Sequence, residues 1–213
     1  MTTGLEREEA AIEATPEWRA AADSILGGIR HDLNGRIGVV SGIAQLAQLD
    51  GTLDAELCGT LAGEVARLER ISELIGLVAG EREPLEALVR ASDLVRDAVD
   101  LVRRHRTLGQ VPIEVVYEDD GFVLVQRSRA VKAIVVLLAA VAGSGAARVR
   151  IARGDGNDFV QVAIAGAGGD AGAGRDARLE QAMAAVRPSI TALGGGVEWL
   201  DTGIGLRLPI DAG

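Results

Sequence analysis

The sequence predicts an α+β protein in which a hairpin of two long helices precedes a region of alternating strands and helices. In the first part, apolar residues recur three and four positions apart, as they do along one face of a helix. After Gly80 the apolar residues fall instead into short runs separated by turn residues. The chain has 213 residues, of which 48% are hydrophobic and only 2% aromatic, so we expect an aliphatic core.

The first helix is predicted from about Glu17 to Gln48, because Pro16 is a favourable residue for a first helical turn. Residues 1–16 are predicted to form an acidic tail. We expect one apolar stripe along this helix to be buried. Its members are Leu26, Ile29, Leu33, Ile37, Val40 and Ala44.

A second amphipathic helix is predicted after the break at residues 49–54. Its stripe consists of Leu57, Leu61, Val65, Leu68, Ile71, Ile75 and Val78. The two helices and their short connection form a helical hairpin, which we assign to a domain spanning 17–80. A lone hairpin cannot cover both stripes on all sides, so the sequence predicts a homodimer whose hairpins form a four-helix bundle.

The remainder, 81–213, is predicted to be a second domain with helices on one face of a sheet. It begins with a connector at 81–89. Helices are expected at 91–106, 128–143 and 176–193, the last with Pro188 as its end or a kink. Strands are expected at 113–119, 122–127, 147–153, 159–165, 196–200 and 205–210, the last two as a hairpin.

Composition narrows the possible partners. The formal charge of −9 argues against nucleic acid, whose phosphates are neutralised by Lys and Arg. The longest apolar run, 133–143, is too short to cross a bilayer, and the acidic N-terminus is unlike a signal peptide, so we expect a cytoplasmic protein. One cysteine and two histidines leave little for a disulfide or a zinc site. With nucleic acid disfavoured by the charge, we expect the partner to be another protein.

A glycine-rich stretch surrounds one of the two histidines, His31. On a helical wheel His31 lies about 170° from the centre of the apolar stripe, so it faces solvent or a partner. Four glycines lie within about 40° of His31 on that wheel, namely Gly27, Gly35, Gly38 and Gly42. Each glycine costs a helix about 1 kcal/mol, which favours a role such as close approach by a partner protein. The alternative is an ordinary exposed histidine in a chain with 28 glycines.

The string His31-Asp32-Leu33-Asn34-Gly35-Arg36-Ile37 resembles the phosphoacceptor box of bacterial sensor histidine kinases. This resemblance implies that His31 carries a phosphoryl group, that Asp32 orients or helps deprotonate the imidazole, and that the helices dimerise. On the wheel, Asn34 is near enough to His31 to bind a phosphoryl oxygen. Arg30 is a further candidate for binding the phosphoryl group or a partner, whereas Arg36 points away. Gly35 stands four residues after the histidine, where the family often has an Asn or Thr tied to phosphatase activity, so the resemblance does not carry that activity over to this chain.

The resemblance also implies that 81–213 is an ATPase-like α/β sandwich, but its nucleotide-binding residues do not match. Val136 and Ala140 stand where the family has asparagines for magnesium and phosphates, and apolar side chains cannot ligate a hard cation. Gly166 stands where an aspartate recognises adenine. We interpret 166–174 as a flexible loop and the string at 202–206, TGIGL, as part of the final hairpin. ATP binding is therefore not expected, and the domain is a degenerate one.

Together these features resemble dimeric histidine phosphotransferases that retain a kinase-like architecture. The function implied is relay of a phosphoryl group between aspartates of response-regulator receiver domains through His31, with magnesium supplied by the receiver and no cofactor of its own. A histidine kinase is a further possible partner. The alternatives are a non-catalytic dimeric adaptor that binds a receiver or kinase, and an active kinase with a divergent ATP site.

Overall fold

A computed structural model describes residues 12–50, 54–80, 86–154, 158–166 and 176–210. The N-terminal part is a hairpin of two helices, α1 (Pro16–Asp50) and α2 (Ala55–Ala79). Asp54 caps α2 by accepting a hydrogen bond from the Leu57 amide at 2.8 Å, and Gly80 ends the helix with a left-handed φ of 67°. The predicted hairpin is therefore confirmed, with both helices within about two residues of their expected limits.

The C-terminal part contains three helices and seven strands among the described residues. The helices are α3 (Ala91–Val102), α4 (Arg127–Ala142) and α5 (Ala177–Ala192). The strands are β1 (Ala87–Arg90), β2 (Ile113–Tyr117), β3 (Phe122–Val125), β4 (Ala147–Arg153), β5 (Phe159–Gly166), β6 (Gly196–Leu200) and β7 (Gly203–Pro209). The predicted α+β class is confirmed, and the three helices and six strands expected in this part are present, with β1 as an additional strand.

The strands form two sheets. A five-stranded sheet has the order β2-β4-β5-β7-β6, with β2 and β4 parallel and the other neighbours antiparallel. A separate two-stranded ribbon pairs β1 with β3. In β4, Val149 and Ile151 are buried while Arg148 and Arg150 are exposed, so one face of the sheet packs on helices and the other meets solvent.

Three local expectations are corrected. Residues 87–89, expected in the connector, form β1 together with Arg90 because they pair with β3, and a run of four residues is too short for its sequence to show such a pairing. The helix expected to reach residue 106 ends at Val102. Of the two roles expected for Pro188, an end or a kink of the last helix, the end is wrong, because Pro188 lies inside α5. The string TGIGL does belong to the last hairpin, since β6 pairs with β7. The glycine-rich segment predicted at 166–174 lies, apart from Gly166, outside the described residues.

One continuous cluster of buried side chains joins the hairpin to the C-terminal part. Ile25, Ile29 and Leu74 of the hairpin belong to the same cluster as α3, α4 and the sheet. The segment before α1 also packs on this core. Ile12 is buried there, and Oε1 of Glu13 lies 2.6 Å from Nζ of the buried Lys132 on α4. Most of the tail expected at 1–16 lies outside the described residues.

The buried face of α1 is rotated from the expected stripe. Ile25, Ile29 and Ile43 are buried, but Leu26 is 41% and Ile37 49% exposed, and Ala44 is also exposed. The reason is that α1 packs on both α2 and α4, and Ile25 and Ile29 join the core that they share with α4. The single cysteine, Cys58, is exposed on α2. Among the described residues, no helix is both long and apolar enough to cross a membrane.

Candidate functional site

His31 lies exposed on α1, at an open groove of about 470 Å³. The groove is lined by His31 and by Gly27, Gly28, Arg30, Asn34 and Arg106. His31 is therefore exposed, as expected, and lies on the side of α1 away from the buried face of the hairpin. The structure also brings Arg30, Asn34 and Gly27 to the same groove. Arg106 is an addition from a distant part of the sequence.

The loop between α3 and β2, residues 103–112, packs directly on α1 and forms one wall of this groove. At Gly28, a Cβ atom would lie only 1.7 Å from the backbone oxygen of Arg104. At Gly27, it would lie 2.5 Å from Nε of Arg106. These two glycines therefore make room for the chain's own loop, a role that their positions on the helical wheel did not indicate.

The imidazole of His105 fastens this loop to α1. Its Nδ1 accepts hydrogen bonds from the backbone amides of Thr107 and Leu108, both at 3.3 Å, and lies 3.2 Å from Oγ of Ser24 on α1. Ser24 Oγ in turn accepts from the Arg106 amide at 3.2 Å. An Nδ1 that accepts from two amides carries no proton, so the ring is neutral with its proton on Nε2. His105 therefore has a structural role here, as a neutral hydrogen-bond acceptor that joins the loop to α1.

Burial lowers the pKa of His105. The unfolded chain therefore takes up a proton at this site more readily than the folded chain, so this contribution to stability is full above about pH 6.5 and is lost as the pH falls through the folded pKa. We expect the thermal unfolding midpoint to drop less between pH 7.5 and pH 5.5 in His105→Asn than in the unsubstituted protein. Equal drops in the two proteins would contradict this assignment. An NMR titration of the ring checks the direction of the pKa shift independently.

Asp32 is held between α1 and the same loop. Its Oδ1 lies 3.1 Å from Nη2 of Arg36 and its Oδ2 lies 3.7 Å from Nε of Arg104. The residue next to His31 is thus tied to the C-terminal part of the chain. Its predicted effect on the imidazole stays a prediction.

Arg36 points away from His31, as predicted, and joins the two helices of the hairpin. Its Nη1 donates to Oε2 of Glu64 on α2 at 3.0 Å, and Arg67 also binds that carboxylate. Burial alone would raise the pKa of Glu64, but the hydrogen bonds from the two arginines outweigh it and lower the pKa. Arg36 therefore positions the helix that carries His31.

The other glycines near His31 face open space. A Cβ atom at Gly35, Gly38 or Gly42 would meet nothing within 4 Å beyond the helix itself. These three positions form a bare surface that continues along α1 from the groove. Of the four glycines predicted to lie around His31, Gly27 is therefore covered by Arg106, whereas Gly35, Gly38 and Gly42 are open.

The positions compared with the nucleotide-binding asparagines lie on α4. Val136 is 3% and Ala140 7% exposed, and both line a largely apolar groove of about 1120 Å³. The other walls of that groove come from the start of α1, the loop 103–112 and α5. In the described part of the chain, no cluster of three or more His, Cys, Asp and Glu side chains could hold a metal ion.

A second set of charges joins α2, α3 and α4, and sequence patterns did not indicate it. Asp97 of α3 is fully buried and accepts hydrogen bonds from Arg70 of α2 at 2.7 Å and from Arg127 of α4 at 2.7 and 2.9 Å. Arg70 also donates to Asp100 at 2.8 Å. Burial opposes the charge of Arg70, but its hydrogen bonds to these carboxylates raise its pKa. The sequence did contain one signal for this buried charge, because Asp97 is an acidic residue within the apolar stripe of α3.

No family model matches the chain, and no curated protein matches it in sequence. Among solved structures it is similar to the Acinetobacter baumannii histidine kinase AdeS, with 18% identity and a TM-score of 0.47 over 85% of this chain and 98% of that one. It is also similar to the cytoplasmic segment of histidine kinase QseC, with 13% identity and a TM-score of 0.40 over 75% of this chain and 98% of that one. A histidine kinase from Burkholderia phymatum STM815 gives 14% identity and a TM-score of 0.45 over 93% of this chain and 100% of that one. Identities this low say nothing about which residues act.

Proposed function

We propose that the protein is a cytoplasmic histidine phosphotransferase that relays a phosphoryl group between receiver domains of response regulators through His31. The observation that carries the proposal is the exposed imidazole at an open groove shared with Arg30, Asn34 and Arg106. The resemblance of the box from His31 to Ile37 to the histidine-kinase phosphoacceptor box supports the same chemistry.

In the proposed reaction, a neutral ring nitrogen of His31 attacks the phosphorus of a receiver's aspartyl phosphate. A P–N bond forms, the P–O bond to the aspartate breaks, and the aspartate leaves as a carboxylate. The reverse reaction on a second receiver completes the relay. Such transfers depend mainly on in-line positioning and charge stabilisation, for which exposure of His31 and nearby guanidinium groups are suited. The receiver's carboxylates would hold the magnesium ion, and the chain needs no cofactor of its own.

A homodimer is part of the proposal. Leu26 and Ile37 of α1 and Val65 of α2 are 41%, 49% and 45% exposed in the single chain. Pairing two hairpins into a four-helix bundle would bury such side chains and leave the groove, on the opposite side of α1, accessible. Sedimentation or light scattering of the purified protein tests the oligomeric state.

The test of the proposed function uses receiver domains from the source organism, each phosphorylated with labelled acetyl phosphate. We expect acid-labile label to appear on the protein and to fall at least 100-fold in His31→Gln, because the nucleophile is removed. Circular dichroism and the oligomeric state should stay unchanged in this variant, since His31 is exposed. Label that persists in His31→Gln would refute the assignment of His31.

The bare surface formed by Gly35, Gly38 and Gly42 allows a second variant to be tested in the same labelling experiment. Gly35→Trp adds a large side chain where nothing lies within 4 Å, so the fold should tolerate it while a receiver can no longer approach.

Binding of a phosphorylated receiver without label would favour the adaptor. Label obtained from ATP and magnesium alone would favour a divergent kinase.

A further inference from the structure

We propose that Arg106, on the loop 103–112, completes the phosphoryl-binding site at His31 by donating hydrogen bonds to the phosphoryl oxygens. This inference rests on the proposed function and adds a positively charged residue from the C-terminal part of the chain to a site on the helical hairpin. The site would thus be composite, with His31, Arg30 and Asn34 on α1 and Arg106 facing them.

The placement of Arg106 is the first support. Its guanidinium group lies over Gly27, one turn before His31, where Nε, Nη2 and Cζ would be 2.5, 2.6 and 2.7 Å from a Cβ atom. Both Arg106 and His31 line the same groove of about 470 Å³. The absence of a side chain at Gly27 is what allows the guanidinium group to lie against α1 beside the imidazole.

The charge balance of the groove is the second support. Arg36, on the same helix as His31, is paired with Glu64 and Asp32, and Arg104, on the loop, is paired with Asp32. Within the described residues, by contrast, neither Arg30 nor Arg106 forms an ion pair with any carboxylate. In a chain of formal charge −9, the groove therefore presents two unpaired guanidinium groups beside the imidazole. That arrangement suits a group with two negative charges.

Docking of the loop does not depend on the Arg106 side chain. The loop is held by the ring of His105, by the Arg104 backbone against Gly28, and by the Arg104 guanidinium beside Asp32. Arg106 contributes its backbone amide, which donates to Ser24 and survives any substitution except proline. Arg106 is an exposed residue that lines the groove, so its side chain is available for a ligand.

A guanidinium group at this place would act on charge and orientation alone. During transfer the phosphoryl group exchanges its P–O bond to the receiver for a P–N bond to His31, and Arg106 forms no covalent bond. Two parallel hydrogen bonds to non-bridging oxygens would stabilise the negative charge on the phosphoryl group in the transition state and align the phosphorus with the ring nitrogen.

The test compares two phosphoryl donors, phosphoramidate and a phosphorylated receiver, because phosphoramidate has no protein surface. In Arg106→Gln we expect the rate of His31 labelling to fall about 10- to 100-fold with both donors. Arg106→Lys should restore part of the rate by keeping the charge. Arg103→Gln is the matched control, since Arg103 is exposed on the same loop but does not line the groove, and its rate should stay within about twofold.

The outcomes separate this inference from the proposed function. A rate that falls only with the receiver would mean that Arg106 contacts the receiver's surface, and a rate unchanged with both donors would likewise overturn the inference. If the unsubstituted protein takes no label from any donor, the proposed function fails. Inorganic phosphate then decides on the anion site: NMR shifts of the His31 ring that disappear in Arg106→Gln support it, and no shift in the unsubstituted protein refutes it.

Discussion

Replacing Gly28 with alanine is expected to destabilise the fold by about 2–3 kcal/mol, although alanine is the better helix former. The added methyl group would lie 1.7 Å from the Arg104 backbone oxygen, and a backbone atom cannot move aside as the end of a side chain can. Either α1 or the loop 103–112 must shift. Chemical denaturation followed by circular dichroism measures the loss.

Gly35→Ala provides the matched control on the same helix. A Cβ atom at Gly35 meets nothing within 4 Å, so only the helix propensity changes, and stability should rise by up to about 1 kcal/mol. Opposite signs for two identical substitutions seven residues apart would locate the contact between α1 and the loop. A gain in stability at both positions would show that the loop does not pack on Gly28.

Substitution of Asp97 by asparagine is expected to cost about 2–4 kcal/mol. The carboxylate is 0% exposed and is the shared acceptor for Arg70 and Arg127, so its loss leaves two guanidinium groups facing a neutral amide. The cost stays below that of a fully buried pair because these arginine side chains are 26% and 39% exposed and can still reach water. Since α2, α3 and α4 meet at Asp97, a lower unfolding midpoint should come with weaker docking of the hairpin.

Glu73→Gln is the control for this prediction. Glu73 also pairs with Arg70, at 3.0 Å, but its side chain is 63% exposed. Removing such a surface pair should change the free energy of unfolding by less than about 0.5 kcal/mol. Equal effects at Asp97 and Glu73 would contradict the idea that burial makes the Asp97 contacts important.

Local patterns were sufficient for most of the helices and strands. The apolar repeat over α1 and α2 predicted both helices, and β4 was evident from the alternation of its valine and isoleucine with arginines. The exposure of His31 also followed from the helical period alone. These features depend on residues within one or two turns of each other, which is the range that sequence periodicity reports.

The four-residue strand β1 and the rotation of the buried face of α1 could not be predicted in this way. β1 is a strand because of its pairing with β3, more than thirty residues later in the chain. The buried face of α1 is set by which neighbours cover it, so Ile25 and Ile43 are buried while Leu26 and Ile37 are not. The local sequence pattern shows neither the strand that pairs with β1 nor the elements that cover α1.

The sequence by itself determined that a glycine-lined helix presents His31 away from the hairpin's apolar side, since helical geometry fixes that direction. Only the tertiary structure decided what stands beside His31. It brought the loop 103–112 from more than seventy residues away, placed Arg104 against Gly28 and Asp32, and put Arg106 over Gly27. The physical reason is that these contacts follow from how α3 packs on α4 and how α4 packs on the hairpin within one shared core. Contacts between elements so far apart in the chain leave no repeat in the local sequence.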